Sequence, residues 1–174
     1  APGEIVEGEE LPIFTLNSVH EIEVFYSGHP DQDPYWGGVY FAAGYIFHMG
    51  IGLTSMPPNY GKVWHPCFDN FVERATYTWN IRSAGGRKAH LQGTFLGEVQ
   101  EAGDTLTRSF TLQHPITTHC AAFAVADYVD SNYVHTGEYG DIPVRLTAKP
   151  EDINQMANKF SDLGYAIDAL EFWW

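Results

Sequence analysis

The sequence predicts a mainly β fold, with antiparallel sheets packed as a sandwich or saddle and one C-terminal amphipathic helix. Three observations carry this. Short segments of strand type, several alternating apolar with polar residues, recur along most of the chain between Gly-, Pro- and Asp-rich turns. Aromatic residues make up 15% of the 174 residues, and Tyr, Phe and Trp suit strands and packed sheet faces. Near the end the period changes: Ile153, Met156, Phe160, Leu163, Ile167 and Leu170 recur every three or four residues, one face of a helix.

Residues 1–18 begin acidic and Gly-punctuated and read as a lead-in; 19–148 form the β domain; 149–174 form the helix. The first strand is expected over 19–26 (VHEIEVFY), with His20, Ile22, Val24 and Tyr26 the more apolar face. A turn follows at 27–34 (SGHPDQDP). The apolar run 38–49 reads as one strand with a bulge or close backbone approach at Gly44. Residues 71–82 alternate well, with Val72, Tyr77, Trp79 and Ile81 as core candidates. Ser83-Ala-Gly-Gly-Arg87 reads as a hairpin turn returning the chain along 89–99. Another turn at 101–104 leads to strands at 105–113, 120–128 and 142–147. Pro150, Glu151 and Asp152 suit a helix start. No Gly, Asn or Pro closes the helix before Phe172-Trp173-Trp174, so a continuing chain is expected.

A hydrophobic content of 44% supports a real core in a single domain. The net charge is −13 with only nine Lys and Arg, which argues against nucleic acid and against an anionic membrane surface. No stretch approaches the ~20 apolar residues of a membrane span, so no membrane insertion is expected. Cys67 and Cys120 match no C-x-x-C spacing, and both a disulfide and two free thiols are open to them.

Zinc hydrolysis needs two His one helical turn apart, a third ligand and a carboxylate to activate water. No H-E-x-x-H occurs, and His20-Glu21 lies on a strand. His114, His119 and His135 are spaced too irregularly to preform a metal site. There is no G-x-S-x-G elbow, so no catalytic residue is expected in this chain. The Trp36-Gly37-Gly38 and Ala84-Gly85-Gly86 strings are turn or bulge glycines. Tyr35-Trp36, Tyr40-Phe41 and Trp64 are aromatics of a packed core or, alternatively, of a sugar-stacking platform.

One segment resembles a known family. In 62–79 the run Pro66-Cys67-Phe68-Asp69, the basic Arg74 and Ala75-Thr76-Tyr77 are similar to the P-C-F-D and A-T-F elements of the N-terminal β domain of M1 zinc aminopeptidases. Four further stretches resemble family elements in the same order. They are 22–28 ending Tyr26-Ser27-Gly28, Gly37-Gly38-Val39-Tyr40, 114–127, and Ile142-Pro143-Val144-Arg145 followed by the helix. There are departures: Asn70-Phe71 replaces the family's Glu-Pro, and Thr54-Ser55-Met56-Pro57 lacks the carboxylate of its T-Q-x-E element. No substrate-binding residue is therefore carried over. What the resemblance implies is a non-catalytic domain walling the peptide cleft of a catalytic domain outside this chain. That domain would be its partner and would hold the zinc, and this chain would hold no cofactor. Pro66, Cys67, Phe68 and Asp69 would then be structural. The alternatives are a stand-alone module binding carbohydrate or protein, and part of a pseudoenzyme.

Overall fold

The computed structural model describes residues 22–173. The 1–18 lead-in, the first three residues of the expected 19–26 strand and Trp174 lie outside the described residues. Strands β1 (Gly38–Ala42), β2 (Tyr45–Met49), β3 (Arg74–Ser83), β4 (Lys88–Leu91), β5 (Thr94–Gln100), β6 (Leu106–Thr117), β7 (Phe123–Ala126), β8 (Val129–Gly137) and β9 (Gly140–Ala148) precede helices α1 (Ile153–Lys159) and α2 (Leu163–Trp173). One antiparallel sheet runs β1-β2-β7-β4, a second runs β3-β6-β5, and β8-β9 form a separate hairpin.

The two larger sheets meet over Trp79, Phe110 and Ala121, with Trp64, Tyr77, Ile81, Leu91, Phe95 and Ile116 around them. Alternation explains the inward set. On β3 the odd positions Tyr77, Trp79 and Ile81 face in, and on β6 the even positions Leu106, Arg108 and Phe110 do. Phe110 lies opposite Trp79 on one side and Phe95 on the other, so three aromatics line up in register across the second sheet. Val72, expected inside, is 80% exposed. The strand begins only at Arg74, and Val72 sits in a turn where its N–H, like that of Glu73, donates to Asn70 Oδ1.

Several expected elements change on folding. Residues 22–26 are irregular and mostly exposed, because no strand among the described residues pairs with them. The 38–49 run is two strands: Ala43 and Gly44 take φ of 50° and 82°, the two-residue turn that suits a tight hairpin. Ser83-Ala-Gly-Gly-Arg87 closes no ladder. β3 pairs with β6 while β4 pairs with β7, so this turn carries the chain from one sheet to the other. The chain crosses back at Gln92-Gly93, splitting the expected 89–99 strand. Gly93 has φ of 94°, and a Cβ there would overlap the Thr111 carbonyl, so the crossing requires glycine. β8 is an addition, a largely polar strand tied to β9 along its whole length. The expected single helix is two, because Ser161 and Asp162, residues that favour helix starts, interrupt it after Phe160.

Candidate functional site

The P-C-F-D segment forms a corner where the loop after β2 meets the short 3-10 turn Thr118–Cys120 that follows β6. The chain enters through a 3-10 turn at Gly61–Val63. Asp69 holds the corner shut. Its Oδ2 accepts the Lys62 N–H at 3.1 Å and its Oδ1 accepts the Thr118 hydroxyl at 2.8 Å. Gly61 is packed beneath it: a Cβ there would sit 2.9 Å from Asp69 Oδ1 and 3.0 Å from the Thr118 backbone. Cys67 is half-buried, while Phe68 points outward at 83% exposure, so the four motif residues divide between an anchor and an exposed aromatic.

Behind the corner lies an aromatic and imidazole cluster. Trp64 packs on Trp79 at 5.5 Å and edge-on to Phe123 at 4.9 Å, and His65 tilts against Trp64 at 4.5 Å. His48, on β2, is buried and its Nε2–H donates to the Tyr60 carbonyl at 2.8 Å. Burial pulls the His48 pKa down, against the opposing pull of the Tyr60 and Ala121 backbone and of Asp69. Burial and then the charge of His48 pull down that of His65. Burial, with Asp69 adding to it, pushes the Cys67 thiol up to about 11, despite the Thr118 hydroxyl and Lys62. At neutral pH these groups are a thiol and two neutral imidazoles. A thiolate–imidazolium pair, the usual cysteine nucleophile, is not what this environment favours. Cys67 and Cys120 are both free thiols.

A second anchor stands beside it. Asp33 is buried, and its carboxylate accepts hydrogen bonds from the N–H groups of Tyr35, Trp36, Thr54 and Ser55 and from both the Thr54 and Ser55 hydroxyls, at 2.7–3.0 Å. Burial opposes its charge, but the donors led by Trp36 and Ser55 outweigh that and hold it well below the usual carboxylate range. Thr54 and Ser55, which replace part of the T-Q-x-E element, are thus committed to holding the 51–60 loop. Asp33 had no signal beyond its place in a turn-type segment.

His114 lies on β6, His119 in the following turn, and His135 on β8, where its Nε2 is 2.6 Å from Asp168 Oδ1. Among the described residues no three His, Cys, Asp or Glu side chains form a group that could hold a metal ion. The donors among the described residues therefore do not fit a zinc centre. None of its described helices is long and apolar enough to cross a membrane.

No family model matches the chain. It is 23% identical over 133 residues to the thyrotropin-releasing hormone-degrading ectoenzymes of Rattus norvegicus and Homo sapiens, a stretch that is 70% of this chain and 11% of theirs. Its fold matches an M1 zinc metallopeptidase of Deinococcus radiodurans, solved as a mutant with a Tyr-Ser-Ala substrate. The TM-score is 0.60 at 20% identity, covering 71% of this chain and 28% of that one. Legionella pneumophila aminopeptidase A, in complex with aspartic acid, matches with a TM-score of 0.57 at 12% identity, covering 71% of this chain and 14% of its own. The expected mainly β fold and the resemblance to M1 zinc metallopeptidases are both borne out at the level of the fold. The chain spans only a small part of each relative's length.

Proposed function

We propose that this chain is the non-catalytic N-terminal β domain of a larger M1-type zinc aminopeptidase, and that it packs on and walls one side of the peptide cleft of a catalytic domain. The observation that carries the reading is the likeness of fold to M1 zinc metallopeptidases over 71% of the chain, joined to the P-C-F-D corner. In this reading 19–148 is the β domain and 149–174 leads toward the catalytic domain. Pro66, Cys67, Phe68 and Asp69 shape the corner and take no part in chemistry. Zinc is held elsewhere in the parent, by two His a helical turn apart and a downstream Glu, where it would supply Lewis acidity. Exposed Tyr165, Leu170, Phe172 and Trp173 on α2 support a covering partner, since clustered apolar surface of this kind marks interaction sites.

The test uses the parent protein and the isolated chain side by side. The parent is expected to carry H-E-x-x-H, to hold one zinc and to cleave an aminoacyl anilide, while residues 1–174 alone do neither. Hydrogen exchange in 165–173 is expected to slow in the parent relative to the isolated chain. A parent without zinc or hydrolysis, or a zinc-loaded isolated chain that cleaves the anilide, overturns the proposal.

A further inference from the structure

A cavity of about 790 Å³ opens between the β4–β5 crossing and the β8–β9 hairpin, and none of the P-C-F-D residues lines it. Its walls are mostly apolar, with Phe95, Val134 and Pro143 among them, and its polar side chains include His90, Asn132 and Arg145. That size and mixture suit a small organic ligand.

The charges around the cavity are uneven. Arg108 is buried at its edge, with one guanidinium nitrogen donating to the Ala89 carbonyl at 2.7 Å and lying 2.8 Å from His90 Nε2. Glu98 approaches Arg108 Nε at 3.1 Å, although off the line of a hydrogen bond, and Asp130 lies 3.9 Å from His90 Nε2 while accepting the Thr147 hydroxyl. Arg108 thus has its counter-charges. Arg145 makes no hydrogen bond or ion pair with any described residue, and its guanidinium stands 5.5 Å from the centre of the Phe95 ring. Burial and then the charge of Arg108, with Arg145 and Lys88 adding to it, hold His90 neutral, against the pull of Asp130. In a chain of net charge −13, an uncommitted cation facing an apolar cavity is charge complementarity looking for an anion.

We propose that this cavity is a binding site for a carboxylate carrying an apolar or aromatic body, with Arg145 gripping the carboxylate, Asn132 beside it on the paired strand, and Phe95 with the neighbouring Val134–Pro143 pair, on the same face of the hairpin, taking the body. A guanidinium fork matches a carboxylate in two parallel hydrogen bonds, and a free aromatic acid and the C-terminal residue of a peptide share that chemistry. The site is independent of the peptidase reading and stands or falls without it.

The test measures binding to residues 1–174 by calorimetry and by amide NMR shifts. Three probes are used: N-acetyl-L-phenylalanine, its carboxamide, and 3-phenylpropionate. The carboxamide is expected to bind at least about tenfold more weakly than the acid, and shifts should centre on β5, β8 and β9. Arg145→Gln, on an exposed position, should bring the acid down to the carboxamide's level with the urea midpoint unchanged, and Arg145→Lys should recover part of the loss. N-acetyl-L-phenylalanine binding more tightly than 3-phenylpropionate points to a peptide end, and the reverse to a free acid; both keep the carboxylate on Arg145. Equal binding of acid and carboxamide, no binding of either acid, or an unchanged affinity in Arg145→Gln overturns the proposal.

Discussion

Arg108 is the side chain whose removal tests the packing argument most directly. It sits on the inward face of β6, paired across the sheet with Glu98 on β5, and reaches the other sheet through the Ala89 carbonyl on β4. Its guanidinium also lies over the Phe95 ring at 4.5 Å. Arg108→Ala removes a charged hydrogen bond, about 1.5–3 kcal/mol, and strips a stem packed on two rings, about another 1–2 kcal/mol. Glu98 has 36% of its side chain exposed and can rehydrate, so its loss of a partner adds under about 1 kcal/mol. The sum is about 4 kcal/mol, or a fall in Tm of about 8–16 °C for a domain of this size. Arg108→Met keeps the stem and loses the donors, so about half that loss is expected. Urea unfolding followed by tryptophan fluorescence gives both midpoints, and an unchanged m-value would confirm that only stability moved. Arg108→Met as stable as wild type would refute the reasoning, because the cation's desolvation would then cancel everything its hydrogen bonds return.

Acid sensitivity should begin above the carboxylate range. Burial, with Arg108, pushes His90 down to about 4 from 6.5, and burial also lowers His48 and His65. The unfolded chain therefore binds more protons, so this stability is complete above about pH 6.5 and is lost as pH falls toward 4. His90→Gln should flatten a urea-midpoint profile across that window. At the corner, Asp69→Ala and Gly61→Ala should each cost about 1–2 kcal/mol, and the double variant should cost less than their sum, because both act on the same Thr118 contact. Additive midpoints would count against a shared anchor. Exposed Cys120 should react with a disulfide reagent at pH 8 well before Cys67, whose thiol burial holds at about 11, and denaturant should equalise them. Equal folded-state rates would contradict that assignment.

Strand-forming segments were legible where one sheet face is buried, because alternation then records the face. Residues 74–83 show it, with Tyr77, Trp79 and Ile81 turned inward. Pairing was not legible. The alternation of 89–99 continues through Gln92-Gly93 although the chain changes sheets there, and only the close approach of the Thr111 carbonyl to Gly93 reveals the crossing. β8 was missed because Asp130, Ser131 and Asn132 leave no clean apolar face, and its strand exists through its partner β9. At the site, the motif located Asp69, yet its partner Thr118 is 49 residues away, and no local pattern joins them. Arg108 and Asp33 are harder still. A cation on an inward face and a carboxylate with six donors look, in sequence, like ordinary surface charges.

The C-terminal helices α1 and α2 pack mainly on the β8–β9 hairpin. Of the expected apolar stripe, Ile153, Met156, Leu163 and Ile167 are half-buried, Phe160 and Leu170 are exposed, and neither helix contains a fully buried residue. Hydrophobic burial therefore does little to fix α2. Its position comes from polar contacts with β8 and the turn beyond it: Asp168 on His135, and Glu171 accepting the Glu138 N–H at 2.9 Å. Gly164 makes room, since a Cβ there would lie 3.0 Å from the His135 ring. Exposed contacts of this kind contribute little stability, about 0–1 kcal/mol each, but they are directional. They set the angle at which Tyr165, Leu170 and Phe172 face outward. In the proposed reading, a helix oriented by weak, specific clamps would be pre-set for the catalytic domain, which lowers the ordering cost of covering it. The same arrangement would serve a free-standing sugar-binding module poorly, because such a module needs its aromatics on a rigid sheet face rather than on a helix held by exposed contacts.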